Sequence, residues 1–171
     1  GDIDENTRRA YRELAESLGA TTIVDDCAVD GLPSEDPVWL LGWNNRFLGV
    51  MIGLLDHVGS DLSPEHLSLD AQRLTRDKVC ITVVARRGAN GKAVAFVGCN
   101  LPATINSLAR RLPHYGKYSY LGFDAETGRN LVKGNWVVSR SVMSAWVGGE
   151  RDAPVIALPT HPKLSEFPLE F

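Results

Sequence analysis

Two apolar stretches separated by a four-residue turn constrain this chain more than anything else in it. VCITVVARR (residues 79–87) and KAVAFVGCN (residues 92–100) are rich in β-branched and aromatic residues. GANG joins them, and its Asn90-Gly91 pair favours the positive backbone angles that a tight hairpin requires. The pair predicts two adjacent antiparallel strands. LPATINSLARRL follows, with Leu101, Ile105, Leu108 and Leu112 spaced as one helical stripe and Pro102 tolerated in the first turn. YSYLGF then returns as a strand, so residues 93–123 predict one β-α-β unit with a right-handed crossover.

The flanking segments extend the pattern. Tyr11, Leu14, Ala15 and Leu18 trace an amphipathic helix, with Asn6 as its expected cap and Gly19 as its stop. TTIVDD (residues 21–26) is short and β-rich, and CAVDGLPSED reads as a loop. VWLLGW is continuously apolar, which predicts a strand buried on both faces at the centre of a sheet. In NNRFLGVMIGLLDHV, Phe47, Leu48, Met51, Leu54 and Leu55 share a helical face. LSLDAQRLT alternates as a peripheral strand, and NLVKGNWVVS reads as a last strand. The expected fold is α/β: a single three-layer domain over residues 1–147 with a mixed, mostly parallel sheet containing one antiparallel hairpin. Residues 148–171 carry four prolines in the last eighteen positions and predict an extended tail.

Bulk properties narrow the function classes. A net charge of −3 argues against nucleic-acid or anionic-membrane partners, which select a basic face. The pairs Arg86-Arg87 and Arg110-Arg111 sit at element ends, where solvated charge is the simpler reading. The longest apolar run, FLGVMIGLL, is too short to cross a bilayer. The chain opens GDIDEN, which predicts a piece cut from a longer protein. Cys27, Cys80 and Cys99 are an odd number without CxxC spacing, so neither a disulfide framework nor a zinc site is expected; Cys80 and Cys99 read as small buried hydrophobes.

Catalytic signatures are weak. His57, His66, His114 and His161 lack a partner ligand at helical spacing, and HExxH and GxSxG are absent from the sequence. VGCNLPA, opening a helix after a strand, is the better of two anion-binding turns, although only Gly98 would permit close approach. What remains is LPHYGKYSYLGF, with three of the chain's four tyrosines beside His114 and Lys117. As a site, His114, Tyr115, Lys117, Tyr118 and Tyr120 would gather at a helix–strand junction, with a tyrosine and lysine placed for proton transfer. As structure, Gly116 would end the helix at positive φ, Tyr118 and Tyr120 would share one strand face, and Lys133 and Trp136 would neighbour them.

LARRLPHYGKYSYLGF followed by NLVKGNW resembles a segment of an accessory α/β domain found after the catalytic region in a bacterial branch of the gluzincin aminopeptidase-like zinc metallopeptidases. PVWLLGWNNRF fits the same domain, and the likeness covers most of residues 7–138. The matching positions are Leu112 to Tyr120, Lys133, Gly134 and Trp136; after Trp136 the sequence departs from the pattern. None of these is a catalytic or zinc-binding residue of that family. The resemblance therefore implies a non-catalytic module without a cofactor of its own, zinc being held by the parent's catalytic domain. It implies the catalytic region of the same polypeptide as partner, and a periplasmic or cell-surface location. The alternative is an independent ligand-binding or enzymatic domain using the His114–Tyr120 turn.

Overall fold

The computed structural model describes residues 3–58, 60–69, 72–87 and 91–136; the predicted tail, and most of the Asn90-Gly91 turn, lie outside them. Helix α1 spans Glu5–Ser17, strand β1 Val38–Leu41, helix α2 Leu48–Leu55, and strands β2 to β4 Asp61–Leu62, His66–Leu69 and Gln72–Thr75. Strand β5 covers Val79–Arg86, β6 Ala93–Gly98, helix α3 Pro102–Arg111, β7 Tyr120–Asp124 and β8 Asn130–Gly134. The main sheet has the order β1-β6-β5-β7-β8, and β2-β3-β4 form a second, antiparallel sheet.

The fold is mixed α/β with the expected hairpin: β5 and β6 pair antiparallel, Ile81 opposite Gly98. The balance of the sheet differs from the expectation, since among the described residues only β1 and β6 pair in parallel. The reason is where the hairpin inserts. Helix α3 links β6 to β7, but β5 lies between them and runs antiparallel to both. The two strands of the β-α-β unit are thus parallel to each other without being neighbours.

Strand alternation divides the core into two layers. Val79, Ile81 and Val83 of β5, with Val94 and Phe96 of β6, pack with Met51 and Leu55 of α2 and with Leu62, Leu67 and Leu74 of the small sheet. Cys80, Val97, Leu121 and Phe123 pack on the other face with Tyr11 and Leu14 of α1 and Ile105, Leu108 and Leu112 of α3 and its extension. Burying Ile105 and Leu108 completely stabilises the helix–sheet contact by about 1.5–3 kcal/mol each. Leu101 leaves the predicted stripe: it is the exposed residue preceding α3.

Four other expectations change. TTIVDD forms no strand; Ile23 and Val24 are exposed, so β propensity there had no packing partner to realise it. Asp4, not Asn6, caps α1, its carboxylate accepting from the Thr7 N–H at 3.0 Å and the Thr7 hydroxyl at 2.6 Å. LSLDAQRLT is the greater part of two strands rather than one, Leu67 opposite Leu74. VWLLGW forms an edge strand, not a central one. Its apolar continuity reports two covered faces, with Val38 and Leu40 toward α2 and Trp39 and Leu41 toward α1 and α3.

Candidate functional site

The residues of the HYGKYSY string and its partners on β8 form one corner of the main sheet. Helix α3 runs into a 3-10 turn, Leu112–Tyr115, and the chain enters the sheet through Tyr118, whose N–H donates to the Tyr115 carbonyl at 3.0 Å. Ser119 is already in the ladder, donating to Gly134 O and accepting from Val84 N, both at 2.8 Å. The Asn135 side chain also accepts from Ser119 N at 3.0 Å, fixing β8 to the start of β7.

The tyrosines do not share a face. Tyr115 and Tyr118 pack with the α1/α3 layer, 6.0 Å apart by ring centroid, and Tyr115 stands edge-on to Phe123 at 5.6 Å. Tyr120 turns to the opposite layer and tilts against Trp136 at 4.8 Å. The expected common face fails because Tyr118 belongs to the turn, where strand alternation has not begun. Gly116 likewise departs from expectation: it lies at φ −58°, continuing the helical sense, with open space where a Cβ would be. The glycine that the corner requires is Gly134, across which the Tyr120 ring lies; a Cβ there would collide with the phenol.

The predicted neighbours Lys133, on β8, and Trp136, just after it, are present. Lys133 Nζ lies 5.5 Å from the Tyr118 ring centroid, and Lys117 Nζ 5.3 Å from the same ring. Each contact is worth about 0.5–1 kcal/mol at such an exposed position. Trp136 donates its indole N–H to the Val84 carbonyl at 2.8 Å, latching the chain after β8 onto β5. His114, Lys117 and Lys133 remain exposed. The corner thus presents two ammonium groups beside the Tyr118 ring, with an exposed imidazole on the turn before it. Its tyrosines and lysines hold one another by ring contacts, not by the hydrogen bond a proton-transfer pair needs.

The other sequence candidates find structural roles. Gly98 in VGCNLPA is occupied by packing: a Cβ there would lie 2.5 Å from the Trp43 ring, so the close approach belongs to an indole. Arg111 and Arg87 donate to the Gly128 and Pro33 carbonyls. Among the described residues, no group of three or more His, Cys, Asp or Glu side chains gathers as a metal site. No described helix is long and apolar enough to cross a membrane.

Two arrangements were not legible from sequence. Cys80 and Cys99 are buried as expected but form a disulfide, with Cα atoms 4.5 Å apart, which corrects the expectation of no disulfide framework. They become partners because the β5–β6 register places Ile81 opposite Gly98, hence their outer neighbours opposite each other. Cys99 is also clasped by Tyr11, whose hydroxyl donates to its carbonyl at 2.6 Å and accepts from its N–H at 2.9 Å. Burial raises the Tyr11 pKa far above the ordinary phenol value, so the hydroxyl keeps its proton.

The second arrangement lies in DLSPEH, between β2 and β3. Ser63 Oγ is 2.8 Å from His66 Nδ1, and His66 Nε2 is 3.2 Å from Asp61 Oδ2, the order of a serine–histidine–aspartate relay. Its chemistry is that of a turn. Arg73 Nη2, which only donates, lies 3.1 Å from the same Nδ1, so Nε2 carries the hydrogen that Asp61 accepts. Ser63 Oγ accepts the Glu65 and His66 N–H groups, each at 3.2 Å, which takes up the lone pairs a nucleophile would use.

No family model, curated protein or solved structure matches this chain.

Proposed function

We propose that this chain is a non-catalytic accessory domain of a larger, exported zinc metallopeptidase of the aminopeptidase type, docking on the catalytic region of its own polypeptide. The observation that carries the reading is the corner at Leu112–Trp136. The string resembling that family spends its tyrosines and tryptophan on packing and leaves Lys117 and Lys133 as an outward basic rim beside Tyr118, with His114 exposed on the preceding turn. A rim of this kind suits contact with an acidic protein surface, where charge complementarity sets orientation. The zinc belongs to the parent's catalytic region. The Cys80–Cys99 disulfide supports an exported parent, because such bonds persist in oxidising compartments and are rare in reducing ones.

The alternative, a ligand-binding or catalytic turn at His114–Tyr120, is the weaker reading because Tyr118 and Tyr120 face opposite layers. The test has two parts. The natural gene upstream of the Gly1 codon should encode HExxH with a downstream glutamate. The isolated chain should hold no stoichiometric zinc and cleave no aminoacyl reporter, while binding the separately produced catalytic region; Lys117→Glu with Lys133→Glu should abolish that binding. An upstream region without the zinc motif, or reporter cleavage by the isolated chain, overturns the reading.

A further inference from the structure

A crevice of about 190 Å³ opens where β1 and β6 leave the sheet, lined among others by Asp4, Tyr11, Trp43, Asn44, Arg76 and Asn100. These two strands are the parallel pair. In open α/β sheets, the space beyond the carboxyl ends of parallel strands is where ligands are commonly held, because the departing loops leave a gap lined by backbone and polar side chains. Its size falls below the roughly 300 Å³ at which sites for drug-sized ligands begin, which points to a molecule of a few heavy atoms.

The lining groups narrow the chemistry. Arg76 uses Nη1 alone in its polar contacts among the described residues, to Pro64 O at 3.3 Å and to Glu65 at 3.9 Å, and its guanidinium carbon lies 5.9 Å from the Trp43 ring centroid. That leaves Nε and Nη2 for a carboxylate, which a guanidinium meets with paired N–H groups. Glu65 is largely exposed and competes weakly. Asn44 makes no hydrogen bond among the described residues, and the buried indole N–H of Trp43 has no acceptor there. Asp4 brings an ionised carboxylate to the same crevice, and it forms no ion pair with Arg76. Tyr11 contributes shape only, its hydroxyl being taken by Cys99.

We infer that this crevice binds a free α-amino acid, the ligand's carboxylate meeting Arg76 and Asn44 and its ammonium meeting Asp4. The two opposite charges in one small crevice, Arg76 paired only with the exposed Glu65 and Asp4 bonded to Thr7 but to no cation among the described residues, match the two charges of a zwitterion. The inference stands apart from the peptidase reading: a missing zinc motif upstream leaves it untouched, and a failed titration leaves that reading untouched.

The experiment titrates the full chain with L-leucine by calorimetry and by tryptophan fluorescence, with 4-methylpentanoate and isoamylamine as single-charge halves. L-leucine should bind saturably, and each half more weakly. Arg76→Gln should weaken L-leucine by about tenfold or more, as loss of one partner of a charge pair does. Asn44→Asp, at an exposed position, should weaken it similarly by placing a carboxylate against the ligand's own. Asp4→Asn keeps a good helix cap and should weaken L-leucine while leaving 4-methylpentanoate unchanged. Absence of saturable L-leucine binding in the folded wild-type chain overturns the inference. So does 4-methylpentanoate binding as tightly as L-leucine, or binding indifferent to both Arg76→Gln and Asn44→Asp.

Discussion

Reducing the Cys80–Cys99 bond perturbs the core at one defined point. The bond spans a sequence separation of 19 residues. The chain-entropy model assigns such a loop about 3 kcal/mol of stabilisation, by restricting the unfolded chain. For a folded unit of this size that corresponds to a melting shift of roughly 10 °C. The assay is thermal unfolding by circular dichroism with and without reductant, on a Cys27→Ser background that removes the exposed free thiol and prevents exchange. The bond itself is counted separately: the unreduced wild-type chain, denatured and titrated with a thiol reagent, should show one reactive thiol, that of Cys27. Three reactive thiols would refute the bond. One thiol with an unchanged melting temperature would refute the energetic argument, meaning that β5–β6 pairing already confines the two cysteines in the unfolded ensemble.

Leu108→Ala should cost about 2–5 kcal/mol in urea unfolding, because Leu108 is fully buried between α3 and the sheet; a change under about 0.5 kcal/mol would place it on the surface. Gly116→Ala should be neutral or raise stability by up to about 1 kcal/mol, since Gly116 has ordinary helical φ and free space. Gly134→Ala should instead destabilise by about 1–3 kcal/mol through its collision with Tyr120, and melting curves of the two variants should move in different directions. Tyr11→Phe should cost about 1–3 kcal/mol by leaving the Cys99 backbone groups unpaired. Because the folded-state pKa of Tyr11 is raised, its contribution is full below the unfolded phenol value, near pH 10, and falls as pH rises beyond it. Urea midpoints across that range should show the alkaline loss diminished in Tyr11→Phe.

The parts of the fold legible in the sequence are those where local pattern and tertiary packing agree. The β5–β6 hairpin and the α3 residues Ile105, Leu108 and Leu112 carry periodicities that the core then buries. TTIVDD had propensity without a partner, and VWLLGW had burial without centrality; in both, the deciding fact was what lay across from the strand. At the candidate site, the neighbourhood of Lys133 and Trp136 with Tyr118 and Tyr120 was legible from strand succession. The reversal between Tyr118 and Tyr120 was not, because it depends on where the 3-10 turn hands over to β7. The disulfide and the β1–β6 crevice were illegible for the same reason. Each joins residues distant in sequence, Cys80 with Cys99 by strand register and Asp4 with Arg76 by docking of α1.

The clasp between Tyr11 and Cys99 has a consequence for the order of assembly. It joins groups separated by 88 residues, so its formation closes a long loop that the β5–β6 hairpin and α3 do not need. Local elements repay their entropy early, while contacts of this reach tend to be gained after the folding barrier. Docking of α1 should then act as a late bolt that governs how slowly the domain opens. Stopped-flow measurements should find Tyr11→Phe accelerating unfolding with little change in refolding, whereas Val83→Ala within the hairpin should slow refolding. Equal slowing of refolding by both variants would mean that α1 is already seated at the barrier.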